Sequence, residues 1–193
     1  MKRPLHEKIL LYQVRAKKDP EAFGKIYDLY AARIYRFVFF KVSSAEEAQD
    51  ITADVFLKAW QYLLEESGRD VRHLGALLYS IARNRVIDLY RSRSMKETLP
   101  LAESGDDEML PDTRRLMDQT EAKLDVEMLA KHLRSLKDEY REVLIMKYMD
   151  ELSASEIGKY LDKPPGTVRV LLHRATNALR DIIHEESQRG GTT

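Results

Sequence analysis

The sequence predicts an all-α protein: two small helical domains joined by an acidic linker. Three observations carry that expectation. Apolar residues recur three and four apart almost everywhere, and no stretch alternates with period two for long enough to make a strand. An interval with Pro100, Gly105, Pro111 and few large apolar residues interrupts the pattern. Near the C-terminus, two helical patterns flank an Asp-Lys-Pro-Pro break. The expected boundaries are 1–94 for the first domain, 95–127 for the linker, 128–186 for the second domain and 187–193 for a frayed tail.

The first strong helix opens at Asp19-Pro20, an N-cap followed by a first-turn proline. Its apolar face is Phe23, Ile26, Tyr27, Tyr30, Ile34, Phe37 and Val38. A second opens with Ser44-x-x-Glu47, a capping box, and buries Ala48, Ile51, Thr52, Val55, Phe56, Ala59 and Leu63. A third carries Leu74, Leu77, Leu78, Ile81, Ala82 and Leu89. From Lys96 to Glu127 there are ten acids against four bases, which suits a solvated linker or a charged strap seated in a basic channel of a partner. Helical spacing resumes through Leu129, Leu133, Leu136, Tyr140, Val143, Leu144 and Tyr148. Ser153-x-x-Glu156 caps a short helix holding Ile157 and Leu161. Asp162-Lys163-Pro164-Pro165 breaks it, because proline cannot continue the amide ladder. A last helix starts near Gly166 and packs Val168, Leu171, Leu172, Ala175, Leu179 and Ile182.

Composition narrows the function classes. The chain has 193 residues, 44% of them hydrophobic and 33% charged, enough for packed cores. Lys+Arg and Asp+Glu are both 32, so only the distribution of charge can point to a polyanionic partner. Without cysteine there is no disulfide, thiolate zinc site, iron–sulfur cluster or cysteine nucleophile. The uncharged apolar run His73–Ala82 is about half of the ~20 residues a membrane helix needs. The charged N-terminal residues lack a signal-peptide core. A cytoplasmic protein without membrane insertion is expected. No phosphate-binding loop, nucleophile elbow or zinc-protease motif occurs, and no two histidines stand at a helical metal-ligand spacing. The expectation is a non-enzyme with no cofactor, no metal and no small-molecule substrate.

Three segments could carry function. Lys163–Arg180 holds four bases and no acid on a helix–turn–helix pattern, the arrangement that sets an exposed helix in a major groove. Thr167, Arg169, His173 and Arg174 can supply phosphate and base-edge contacts there. A helical hairpin with a solvated basic face is the plainer alternative. Ala76–Arg93 has four arginines to one acid, with Tyr79 and Tyr90 interleaved, behind a polar loop, 66–73, containing Arg69, Arg72 and His73. Arginine with aromatics suits single-stranded DNA, although Tyr79 as core and the arginines as a solvated face fit equally well. In QDITADVFLKAWQYL, Asp50, Asp54 and Lys58 stand at i, i+4 and i+8, either a salt-bridged face or a docking surface for another protein's helix.

These pieces, in this order, resemble the extracytoplasmic-function (ECF) class of bacterial sigma factors, within the sigma-70 superfamily. DPEAFGKIYDLYAARIYRFV looks like the opening of that family's region 2. AQDITADVFLKAW is similar to its core-polymerase-binding helix, LLYSIARNRVIDLYRSR to its minus-10 helix, and the segment from Ser135 to Arg180 to region 4.

The resemblance implies an alternative sigma factor that binds core RNA polymerase and directs it to a promoter subset. Asp50, Asp54 and Lys58, with Phe56 and Trp60 supporting the helix, would meet the clamp helices of the largest subunit, and region 4 the flap of the second-largest. Arg69, Arg72 and His73 would hold a flipped minus-10 base, with Arg83, Asn84 and Arg91 on the same strand. Thr167, Arg169, His173 and Arg174 would enter the minus-35 major groove of promoter DNA. The linker would thread the RNA-exit path, and an anti-sigma factor is an implied partner. A stand-alone helix–turn–helix regulator and a polymerase or anti-sigma adaptor that does not read DNA remain as rivals.

Three family positions differ: Ala53 replaces a usual glutamine, Leu77 a tryptophan, and Val170-Leu171 a polar residue and a base. The last change is expected to remove a polar group and a positive charge from the DNA-facing surface.

Overall fold

A computed structural model describes residues 3–65, 71, 73–95 and 120–190. Every regular element among them is helical. The chain divides into two compact units, Met1–Glu108 and Met109–Thr193. The stretch expected as a linker lies mostly at 96–119, outside the described residues.

The first unit holds α1 (Arg3–Lys17), α2 (Pro20–Phe39), α3 (Ala45–Leu64) and α4 (Leu74–Met95). α2 is its hub, packing against each of the other three. Its start follows from local chemistry: the Asp19 carboxylate accepts from the Glu21 and Ala22 amides at 2.9 and 3.2 Å, and Pro20 pre-sets the first turn. The α3 face expected to be buried is the one that is buried, from Ala48 to Leu63. Its cap differs in one arm. Ser44 Oγ accepts from the Glu47 amide at 3.2 Å, but the Glu47 carboxylate reaches back to the Ser43 amide and is also held by Arg93 from α4. The guanidinium draws it off the position a full capping box needs.

α1 is an addition to the sequence reading, which began regular structure at Asp19. Its charged surface hides a short apolar face: Leu10, Leu11 and Val14 are buried, and Glu7 accepts a hydrogen bond from the Tyr30 hydroxyl at 2.9 Å. Leu10, Leu11 and Val14 alone give weak periodicity in isolation; packing on α2 and α3 supports the helix.

The second unit holds α5 (Thr120–Ser135), α6 (Asp138–Leu144), a π-helical turn (Ile145–Met149), α7 (Ala154–Leu161) and α8 (Pro165–Gly190). The apolar spacing from Leu129 to Tyr148 reads as one helix, yet the chain turns at Leu136-Lys137, where Lys137 is extended (φ −56°, ψ 142°). The spacing stays in register across the corner, so periodicity cannot reveal it. The corner is closed by Arg141, which donates to the carbonyls of Leu133, Arg134 and Leu136 at 2.9, 2.9 and 3.2 Å. A helix end leaves its last carbonyls short of amide partners, and here the Leu133 carbonyl also takes the Leu136 amide at 3.1 Å.

Two helix ends also differ from expectation. α5 starts at Thr120 rather than near 128, and α8 runs to Gly190 rather than stopping at 186. A clasp ties the far part of α8 to the last turns of α5: Glu186 takes His132 Nε2 at 2.8 Å and Lys131 Nζ at 3.2 Å. Hydrogen bonds from His132, then Lys131, hold its carboxyl below the usual carboxylate range.

Candidate functional site

On α3, Asp50 and Lys58 are exposed, while Asp54 is half-buried and ion-paired with Arg85 of α4. Phe56 is buried, its ring 4.7 Å from Tyr27 and 6.4 Å from Phe23. Trp60 stands edge-on to Phe23 at 4.9 Å. The two aromatics therefore fix the helix from behind. The outward stripe is Asp50, Ala53, Asp54, Leu57 and Gln61, spaced three and four apart. Leu57, 55% exposed at its centre, escaped the sequence reading. Its signal was available, because Leu57, like Leu64 seven residues on, falls outside the apolar face from Ala48 to Leu63.

At the base of α4, His73 is exposed, and its carbonyl accepts from the Leu77 amide at 3.3 Å. Arg69 and Arg72 lie outside the described residues. His73 lines an open cleft of about 960 Å³ between α1, the end of α3 and the start of α4, with Leu11, Tyr12, Leu63 and Val71. On α4 itself, Asn84 and Arg91 are exposed and Arg83 is half-buried at the flank of the same face. Ile87, also exposed, completes the stripe.

The interleaved aromatics part company. Tyr79 is fully buried, edge-on to Phe37 at 5.1 Å, so it belongs to the core and offers no stacking platform. Tyr90 keeps a partly exposed ring while its hydroxyl donates to the Lys41 carbonyl. The α4 arginines also divide. Arg85 and Arg93 tie α4 to α3 through Asp54 and Glu47, leaving Asn84, Ile87 and Arg91 to face outward.

The helix–turn–helix is built as its punctuation suggests. Ser153 and Glu156 form a full capping box on α7. Asp162 ends that helix in the left-handed region (φ 53°), and α8 begins with Pro165 in its first turn. The turn is tight because residue 158 is glycine: a Cβ there would meet the Lys163 carbonyl oxygen at 2.5 Å. Thr167, Arg169, His173 and Arg174 are all exposed on α8, Arg169 and His173 opposite the buried Val168, Leu171 and Ala175 and the other two at the flank of that face. Asn177 contacts His173 Nε2 at 3.3 Å and accepts from Arg180 at 3.4 Å, extending the polar face by a turn. The expected loss of charge at 170–171 needs correction. Val170 does face outward, but Leu171 is buried at 7% and points into its own domain. A charge is therefore not missing from the outward surface at that position.

Among the described residues no group of three or more histidines and carboxylates is placed to hold a metal ion; the arrangement offers three outward helix faces. Comparison with known proteins gives them a context. The family model for Sigma-70 region 2 matches residues 26–95, and that for Sigma-70, region 4 matches residues 127–179. The ECF RNA polymerase sigma factor SigW of Bacillus subtilis is 32% identical over 175 residues, covering 88% of this chain and 92% of that one. SigL of Mycobacterium tuberculosis is 32% identical over 160 residues, covering 83% and 88%. Among solved structures, CnrH, in complex with the cytosolic domain of CnrY, shares the fold with a TM-score of 0.69 at 20% identity, covering 93% of this chain and 98% of that one. With both region models and relatives matched along nearly their whole length, the chain belongs to the ECF sigma factors of the sigma-70 family.

Proposed function

We infer that this protein is an alternative sigma factor that binds core RNA polymerase and directs promoter-specific initiation. The observation that carries the reading is the pairing, in one chain, of a region 2 unit and a region 4 unit, supported by the exposure of Asp50, Asn84, Arg91, Arg169 and Arg174.

The finer assignments follow as proposals. The α3 stripe of Asp50, Asp54, Leu57 and Lys58 docks on the clamp helices of the largest polymerase subunit, with Phe56 and Trp60 holding it in shape. A leucine ringed by charges suits that role: it gives an apolar anchor, and the charges set register. The second unit meets the flap of the second-largest subunit.

Asn84, Arg91 and Arg83 follow the non-template strand along α4, and His73, with Arg69 and Arg72, receives an unstacked minus-10 base beside the cleft. Melting needs no covalent step, because trapping an extruded base shifts the duplex equilibrium. Thr167, Arg169, His173 and Arg174 enter the minus-35 major groove. An anti-sigma factor masking these faces, and a cytoplasmic location, accord with the family. Among the described residues no helix is long and apolar enough to cross a membrane.

The deciding experiment is run-off transcription with purified core polymerase on a pooled promoter library, with and without the protein. New start sites sharing an upstream motif are expected. Stable core binding without initiation would leave an adaptor, and absence of core binding would leave a stand-alone DNA-binding regulator.

A further inference from the structure

In the N-terminal half of α8, the half that follows the turn, one large apolar side chain is exposed; the other on this helix, Ile183, lies more than three turns further on. Val170 is 50% exposed, with Arg169 beside it, His173 and Arg174 one turn on, and Gly166 one turn back. Residues three and four apart share a helix face, so these five form one patch. A Cβ on Gly166 would meet nothing within 4 Å, which leaves the N-terminal side of the patch open to close approach. From Lys163 to Arg180 there is no acid, so the patch is suited to a polyanion.

Valine makes no hydrogen bond to a base edge or a phosphate. Its β-branch holds one strongly preferred rotamer in a helix, so its methyl groups are presented with little entropy left to lose. In a major groove most recognition groups are donors or acceptors; the apolar ones are the thymine C5-methyl and the bare cytosine C5–H, and of these the methyl is the one that projects toward a side chain. Opposite a donor or an acceptor, Val170 would strip water from a polar group and return no bond.

We propose that Val170 is a specificity-determining residue that reads a thymine methyl in the duplex element bound by α8, between phosphate or base contacts made by Arg169 and Arg174. This rests on α8 being the duplex-reading helix and adds what that helix selects. Leu171 cannot share the role, because it is buried in the domain.

The test uses the full chain and a random duplex library. Enriched duplexes are resynthesised with each thymine replaced in turn by deoxyuridine, which lacks only the methyl. One such replacement should weaken binding about three- to fivefold, the worth of one buried methyl. Val170→Ser, a change at an exposed position, should abolish that sensitivity. Arg169→Ala should weaken binding to every duplex and keep the sensitivity. Enriched duplexes insensitive to every deoxyuridine, or equally sensitive with Val170→Ser, overturn the proposal and leave α8 as the reader. Failure to enrich any duplex overturns the reading of α8 itself, and this proposal with it.

Discussion

The Asp54 carboxylate on α3 is ion-paired with the Arg85 guanidinium on α4, joining the helix assigned to polymerase with the helix assigned to the minus-10 strand. Arg85 also approaches Asp88 at 3.7 Å, so the bridge is part of a small charged network rather than a single pair. Both side chains are about one-third exposed, and such a pair contributes at most about 1 kcal/mol to stability. Its consequence is geometric: the Asp54 carboxylate proposed to face polymerase also holds Arg85, whose guanidinium is thereby turned toward α3.

Substitutions on α3 should therefore separate. Asp50→Arg and Leu57→Asp alter exposed side chains and should each weaken core-polymerase binding about tenfold or more, with helical circular dichroism unchanged. Asp54→Arg should instead set two guanidinium groups against each other, lowering the melting temperature as well as the affinity. Pull-down affinity paired with thermal unfolding distinguishes the two classes. Equal affinity for the Asp50 and Leu57 variants would remove this face from the polymerase contact.

Tyr35 is fully buried between helices, stacked on Phe39 at 5.9 Å, and its hydroxyl has no hydrogen-bond partner among the described residues. Burial pushes its pKa up to about 12. A raised folded-state value means that the folded form holds its proton while the unfolded chain ionises, so stability falls as pH rises from about 10 toward 12. Tyr35→Phe should be neutral or stabilising by about 1 kcal/mol at pH 7, and should lose less stability between pH 10 and 12 than the native chain. Denaturant titrations at pH 8, 10 and 11 measure both effects.

Arg141 satisfies three carbonyls at the α5–α6 corner while itself being 9% exposed. Arg141→Ala leaves those acceptors without that donor, and the second unit should lose about 2 to 4 kcal/mol. Arg141→Lys should recover only part, since one ammonium cannot reproduce the guanidinium fork. Urea unfolding followed by helical signal reads the difference.

Gly158 lets α7 meet the turn leading into α8. Gly158→Ala pushes a methyl against the Lys163 carbonyl oxygen and should tilt α8. Minus-35-dependent transcription should fall several-fold while binding to core polymerase through the first unit persists. Full transcription from such a promoter would mean that the turn yields without moving the recognition helix.

The apolar periodicity, the Asp19 and Ser153 caps and the Asp-Lys-Pro-Pro break were enough to give the helical class, most of the helix faces, and the outward placement of Asp50, Arg169 and Arg174; Asn84 entered through the family resemblance. These are local or short-period signals, and each is complete within a turn or two of chain. The tertiary structure decided what depends on contacts distant in sequence. Helix α1 exists because Leu10, Leu11 and Val14 find α2 and α3. Tyr79 left the candidate DNA surface because Phe37, forty-two residues away, completes its packing. Arg85 and Arg93 became positioning groups because α3 brings carboxylates to them. Leu171 proved to be core and Val170 surface because a helix turns 100° between neighbours. The apolar spacing already set Leu171 with Val168 and Ala175; burial in the domain decided between that reading and the one that gave position 171 to DNA.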